Sequence, residues 1–361
     1  MRTLLLPIEL RIAAGNRQSA IANRQCMIPP VHIHASAPTR IDLAGGTLDI
    51  WPLYLFHEGA QTLNAAISLR ASCDVRSRSD RRIVIVSEDS KERVEAEHWS
   101  HLRDSHDLRL LGRLLHFFRA EGLELTTRSE SPVGAGIAGS SALNIAVCGA
   151  LNAWSGGHRT ADEIFQIAMN VEAQAIDVPT GVQDYRPAYY GGISAVELGV
   201  SGIRRVAIDV KPDELQSRIA LAYTNASRNS GINNWDVTKR HIDGDSGVRR
   251  SFARIRDIAA AMRTALERRD WTEVGRQIGA EWDNRKQLAP GVTTPEIDTM
   301  LDAARKAGAA SGKVCGAGGG GCLFCFGDPA DIPAIRQALH EAGARVLDFT
   351  IEARGLLIDT F

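Results

Sequence analysis

A chain of 361 residues with 44% hydrophobic and 24% charged residues has the composition of an ordinary folded protein and the length of two domains. Its 42 basic residues are balanced by 43 acidic ones, for a formal net charge of −1, so no global excess points to nucleic acid or to an anionic membrane. No stretch reaches the ~20 apolar residues of a membrane span, and six cysteines in a chain this long are too sparse for a disulfide scaffold.

Residues 1–28 are basic with short apolar patches. The run LLLPI is short and holds a proline, no small-residue cleavage site follows, and NRQ recurs at Asn16 and Asn23. This segment is expected to be a poorly ordered extension, with Met27 as an alternative start of translation. Cys322 and Cys325 form a C-x-x-C in GCLFCF and read as small apolar strand residues. A zinc site would need a second ligand pair, which Cys315 alone does not supply. Reduced thiols and the cytoplasm are expected, with a monomer or a homodimer.

Regular structure is expected from VHIHASAPTRIDLAGG, where Val31, Ile33 and Ala35 alternate as in a strand. TLNAAISLRASCDVRSRS and RRIVIVSED read as two more strands. Leu108, Leu111, Leu115 and Phe118 lie at helical spacing, closed by Gly122. A candidate strand LELTTR precedes the glycine-rich SPVGAGIAGSSAL, after which Leu143, Ala146, Val147, Ala150, Leu151 and Trp154 trace one helical face. Thr160 and Glu163 form a capping box for the next helix. The loop DVPTGVQDYRPAYYGG and the strand ISAVEL follow. From about residue 205, the strand IALAYT leads to a polar loop, NASRNSGINNWDVTKRHIDGDSG, which reads as a lid anchored by an apolar side chain near Trp235. Helices are expected near 247–268, 271–288 and 295–308, then strand GKVCG, a run of glycines, strand CLFCF, a helix from Pro329 to Ala342 and a last strand RVLDFTIEA. The elements intersperse without a regular βαβ repeat, which predicts an α+β fold.

Gly134, Gly136 and Gly139 match G-x-G-x-x-G. A dinucleotide site needs a strand running straight into the first glycine and an acidic strand end about 20 residues on. Here Ser131 and Pro132 intervene, and Asp162 and Glu163 occupy a helix start. A Walker loop fails as well, because Gly308 to Val314 is one residue short and ends in valine. What remains is a glycine loop feeding a helix N-terminus, which offers backbone N–H groups to an anion. Ser140 and Ser141 could then contact phosphate or magnesium, or simply cap the helix.

APTRIDLAGGTLD, PVGAGIAGSSAL and KVCGAGGGGCLF occur in this order. The trio resembles the GHMP kinases, the family of galactokinase, homoserine kinase, mevalonate kinase and phosphomevalonate kinase, over about residues 33 to 355. The longer form P-x-G-x-G-x-x-G-S-S is similar to the sugar kinases acting on heptose phosphate and on L-fucose, as are RIDLAGG and YTNASR. The resemblance implies a two-domain α+β GHMP kinase fold. Residues 29–204 would form an ATP-binding domain like domain 2 of ribosomal protein S5. Residues 205–361 would form a ferredoxin-like domain, with the acceptor in the cleft between the two. The implied reaction moves a phosphoryl group from ATP, with Mg2+, to a sugar or sugar phosphate, giving a sugar 1-phosphate. A kinase of a neutral sugar, an isoprenoid or polyol kinase, and a catalytically inactive sugar sensor are the alternatives.

The same resemblance implies the roles of individual residues. Pro132, Gly134, Gly136, Gly139, Ser140 and Ser141 would cradle ATP. Glu172 and Ser141 would hold the metal. Asp184 would orient the acceptor hydroxyl, either as a base that accepts its proton or as an electrostatic orienter, beside Arg40, whose guanidinium would face the γ-phosphate. Asp49 would grip sugar hydroxyls, with Gly45, Gly46, Gly318 and Gly319 shaping the acceptor site and Arg228 reaching an acceptor phosphate. Many sugar kinases of this type have Gln after the aspartate, where this chain has Tyr185.

Overall fold

The computed structural model of the chain describes residues 31–226 and 230–361, without the side chains of 230–233. The expected extension 1–28 with its Met27, and Arg228, lie outside the described residues.

The chain opens with β1 (His32–Ala44), β2 (Gln61–Ser77), β3 (Ile83–Ser87) and β4 (Glu92–Ala96), then α1 (Arg109–Phe118), β5 (Leu123–Ser129), α2 (Gly139–Trp154), α3 (Ala161–Ile176), α4 (Tyr185–Tyr190), β6 (Ile193–Gly199) and β7 (Gly202–Ala207). It continues with α5 (Pro212–Gln216), β8 (Ile219–Tyr223), α6 (Ser230–Ile242), α7 (Ser246–Arg268), α8 (Trp271–Arg285), α9 (Pro295–Lys306), β9 (Ala309–Val314), β10 (Cys322–Gly327), α10 (Ile332–Glu341), β11 (Arg345–Leu347) and β12 (Leu357–Thr360).

β2 organises the first sheet. Its first part, Gln61–Ala65, pairs with β6, and its last part, Ala71–Ser77, pairs with β5, while β1 runs antiparallel beside both. Of the helical face expected on α2, Ala146, Val147, Ala150 and Leu151 are buried, while Leu143 and Trp154 are half-buried. They join Leu111 and Leu115 of α1, and Ile164 and Ala168 of α3, in one core beneath the sheet. The Thr160–Glu163 capping box forms at the start of α3.

The second sheet has the antiparallel order β11-β8-β10-β9. With helices between β8 and β9 and between β10 and β11, this is the ferredoxin-like arrangement. Ile41 and Leu63 of the first sheet share a core with Met262 of α7, Ile278 of α8 and Phe324 of β10. The two halves therefore pack directly on one another, and any site between them has closely fitted walls.

Three expectations change. The boundary drawn between 204 and 205 falls inside β7, which pairs with β6. The expected last strand is only the short β11. The chain then crosses back, bridges Ile351 to Ile67, and adds β12 to β1 with Ile33 opposite Thr360. Gly355 permits the crossing, because a Cβ there would collide with the backbone of Tyr189 and Tyr190. Finally, most of the polar stretch after β8 is α6. Val237, Thr238 and His241 give it a buried face, while Trp235 is exposed. Its Asn and Asp content hid a helix that packing, not propensity, maintains.

Candidate active site

Arg40 and Asp42 lie two apart near the end of β1, so both side chains leave the same face of the strand. The chain then turns at Gly45, whose φ of +88° and contact with the Gln61 carbonyl leave no space for a Cβ. The turn delivers Asp49 to the segment before α4. There Asp49 Oδ2 accepts the Gln183 N–H at 2.9 Å. Gly181 is required beside it, since a Cβ would strike the Asp49 carboxylate. Arg40 donates to Asp184 Oδ1 from Nε at 2.8 Å and from Nη2 at 2.6 Å. Its Nη1 donates to the Gly136 carbonyl at 2.9 Å, so one guanidinium joins the aspartate to the glycine loop.

The loop itself carries positive φ at Gly134, Gly136 and also Ala138, the residue before α2. Ala138 supplies no side-chain cap. The two serines do not cap the helix either: Ser140 Oγ donates to Glu172 Oε1 at 2.9 Å, and Ser141 Oγ to Oε2 at 3.1 Å. The first turn of α2 thus keeps its N–H groups for an anion, held in a conformation alanine seldom adopts. Tyr185 donates its hydroxyl to Glu172 Oε2 at 2.8 Å. The side chain following Asp184 therefore braces the carboxylate of α3 rather than meeting an acceptor.

A cavity of about 370 Å³ runs between these walls. The glycine loop, Glu172, Asp49, Asp184, Gln183, Gly46 and Gly316 line it. Gly45, Gly318 and Gly319 do not. Gly318 and Gly319 pack on residues 291–292, and Gly321 lies against the Ala135 carbonyl, so the last glycine of the third motif backs the glycine loop. Cys322 N–H closes the contact by donating to Ala135 O at 2.6 Å.

Behind Arg40 lies a buried charge chain that sequence reasoning missed. Lys313 of β9 donates to Asp42 Oδ2 at 3.0 Å and sits 3.2 Å from Glu281 Oε2. Glu281 pairs with Arg285, whose Nη2 donates to the Gly46 carbonyl at 2.9 Å and whose Nη1 donates to Thr47 Oγ1 at 3.0 Å. Gly316 N–H donates to Asp42 Oδ1 at 2.8 Å. The available signals were faint: a lysine inside a strand of small residues, and an i, i+4 Glu–Arg pair on a helix.

These surroundings set the charges. Burial favours a neutral Asp42, but Lys313 and Arg40 outweigh it and hold the carboxyl down at about 2. Burial and then Asp184 push Asp49 up to about 6. Burial also raises Glu172, against the opposing hydroxyls of Tyr185 and Ser140. Burial alone would weaken the Arg40 charge, yet Asp184 and Asp42 raise its pKa further. Glu172 forms no salt bridge among the described residues, and its nearest donors are oxygens. A desolvated carboxylate with hydroxyl neighbours and no cation suits Mg2+ shared with nucleotide phosphates. No group of three or more His, Cys, Asp or Glu able to hold a metal alone occurs among the described residues.

A glycine cradle at a helix N-terminus, a carboxylate suited to magnesium, and an Arg–Asp pair define a small-molecule phosphotransferase. The chain matches "GHMP kinases N terminal domain" over residues 107–192 and "GHMP kinases C terminal" over 262–345. It is 30% identical to the D-glycero-alpha-D-manno-heptose 7-phosphate kinase of Campylobacter jejuni, over 90% of this chain and 98% of that one. Identity to the L-fucokinase/L-fucose-1-P guanylyltransferase of Bacteroides fragilis is 26%, over 89% of this chain and 38% of that larger protein. A putative sugar kinase structure from Campylobacter jejuni superposes with a TM-score of 0.73 at 26% identity, covering 91% of this chain and 98% of the other. The chain belongs to the GHMP kinase family. It is an ATP-dependent kinase that phosphorylates a hydroxyl group.

Proposed function

We propose that this sugar kinase transfers the γ-phosphoryl group of ATP to the anomeric hydroxyl of a heptose phosphate. The observation that carries the reading is the Arg40–Asp184 pair, 2.6 Å at its shortest, standing between the glycine loop and Asp49 in one cavity. The similarity to a heptose 7-phosphate kinase over nearly its whole length supports the acceptor class.

In this mechanism the glycine loop and the first turn of α2 hold the triphosphate through backbone N–H groups. Mg2+ would be held by Glu172 and Ser141 and would neutralise phosphate charge. Both Arg40 contacts fall on Asp184 Oδ1, which leaves Oδ2 for the acceptor hydroxyl. Asp184 takes the proton of that hydroxyl as its oxygen bonds to the γ-phosphorus and the bond to the bridging oxygen breaks, releasing ADP. Asp49 accepts a hydrogen bond from another sugar hydroxyl. Pro132 shapes the entry of the loop, and Gly45 and Gly46 place Asp49. Arg228 is the proposed ligand of the acceptor phosphate, on the strength of its sequence context alone. The cytoplasm is the proposed compartment.

A neutral sugar is the second reading. Among the described lining residues Arg40 is the one cationic side chain, and it is already paired with Asp184. Initial rates of ADP release across heptose 7-phosphate, L-fucose, galactose, glucuronate and mevalonate decide between them. Heptose 7-phosphate is expected to lead by at least about tenfold in kcat/KM. A neutral sugar in first place overturns the phosphorylated acceptor.

A further inference from the structure

Gln183 has no role in the chemistry described above, yet it occupies the most telling position in the acceptor end of the cavity. It lies between Val182 and the catalytic Asp184, and its backbone N–H is spent on Asp49. Its side chain is only 5% exposed and lines the cavity. Gly46 makes room for it, since a Cβ at that position would stand 3.2 Å from Gln183 Nε2. Among the described residues, Gln183 Oε1 is buried with no hydrogen-bond partner. A buried carbonyl oxygen without a donor is costly, and native structures rarely keep one where no ligand or water completes it.

The neighbours tell which ligand group would complete it. Asp49 and Asp184, on either side, line the same cavity and carry carboxylate oxygens. Two carboxylates and an amide in one wall fit a molecule that carries several hydroxyl groups. A neutral amide in the middle position adds an acceptor without adding a third anion beside the triphosphate. We propose that Gln183 is a specificity-determining residue, its Oε1 accepting a hydrogen bond from a hydroxyl of the acceptor sugar other than the one phosphorylated. The inference rests on the sugar-kinase reading above.

The test uses Gln183→Met, which keeps the side-chain length and removes the acceptor. Steady-state ADP release is measured for wild type and variant with D-glycero-D-manno-heptose 7-phosphate and its 2-, 3- and 4-deoxy analogues, or with the corresponding set for whichever sugar the wild type prefers. Wild type is expected to discriminate against one deoxy analogue by about ten- to hundredfold in kcat/KM. Gln183→Met is expected to treat that analogue and the parent sugar alike to within about twofold, with the KM for ATP unchanged. Each ratio comes from a single preparation, so any loss of folded protein cancels. A variant that keeps the wild-type discrimination pattern overturns the proposal while leaving the sugar-kinase reading intact. A wild type that turns over no sugar but accepts a non-sugar alcohol overturns both.

Discussion

Lys313 Nζ and Asp42 Oδ2 stand 3.0 Å apart with neither side chain exposed, one on the second sheet and the other on the first. The pair fixes Asp42, which lies 3.5 Å from Arg40 and so backs the group that holds Asp184. Removing the lysine strips Asp42 of its nearest counter-charge, with Arg40 left at 3.5 Å, and takes from Glu281 one of two cationic partners, Arg285 remaining. Lys313→Met is therefore expected to lower the unfolding free energy by about 3–5 kcal/mol. Urea denaturation measures it, and a midpoint equal to wild type would show that the pair contributes nothing to stability.

Asp184→Ala is expected to slow turnover by about 10²–10⁴-fold, the range for a lost acid–base group. ATP binding, read by calorimetry, stays near wild type because the glycine loop is untouched. Full turnover by this variant removes Asp184 from the mechanism.

Asp49 is expected to give the enzyme an acid limb. Its carboxyl is raised to about 6 in the folded protein, from an ordinary value of 3.8. The folded state thus binds the extra proton between those values, so this group favours folding below them and loses that contribution as pH rises through 6. In the proposed mechanism acceptor binding runs the other way, because the ionised form would grip hydroxyls. kcat/KM for the acceptor is expected to rise with pH through about 6, and Asp49→Asn to abolish that limb. A variant with an unchanged limb assigns it to another group.

Glu172→Gln and Ser141→Ala each remove an oxygen suited to Mg2+. The concentration needed for half-maximal rate is expected to rise by at least about tenfold in either variant. Titrating Mg2+ at fixed ATP checks this, and identical titration curves would take both residues out of the metal site.

Arg228→Ala is expected to raise the KM for a phosphorylated acceptor by about ten- to hundredfold, as for a lost charge-assisted contact, with a smaller effect on ATP. Normal handling of that acceptor by the variant leaves the phosphate to another partner.

The sequence by itself determined the parts of this protein that depend on local rules. Thr160 and Glu163 cap α3 because a capping box is a four-residue device. The helical spacing of Ala146, Val147, Ala150 and Leu151 on α2 marks a buried face wherever that face packs. The three glycine motifs were legible because backbone turns and close approaches need glycine. The tertiary structure decided what depends on partners distant along the chain. It turned the paired serines from possible caps into donors to Glu172, 31 and 32 residues away. It buried the Tyr185 hydroxyl on the same carboxylate, and it set Gly318 and Gly319 against residues 291–292, outside the cavity lining. It gave the polar stretch at α6 its helix, with His241 set 2.9 Å from His57. It also joined Asp42 of β1 and Lys313 of β9 to the i, i+4 pair Glu281 and Arg285 of α8, the one link among the four that a local pattern could show. Burial and opposite charge select such residues together, and that selection acts through space, where no window of sequence can display it.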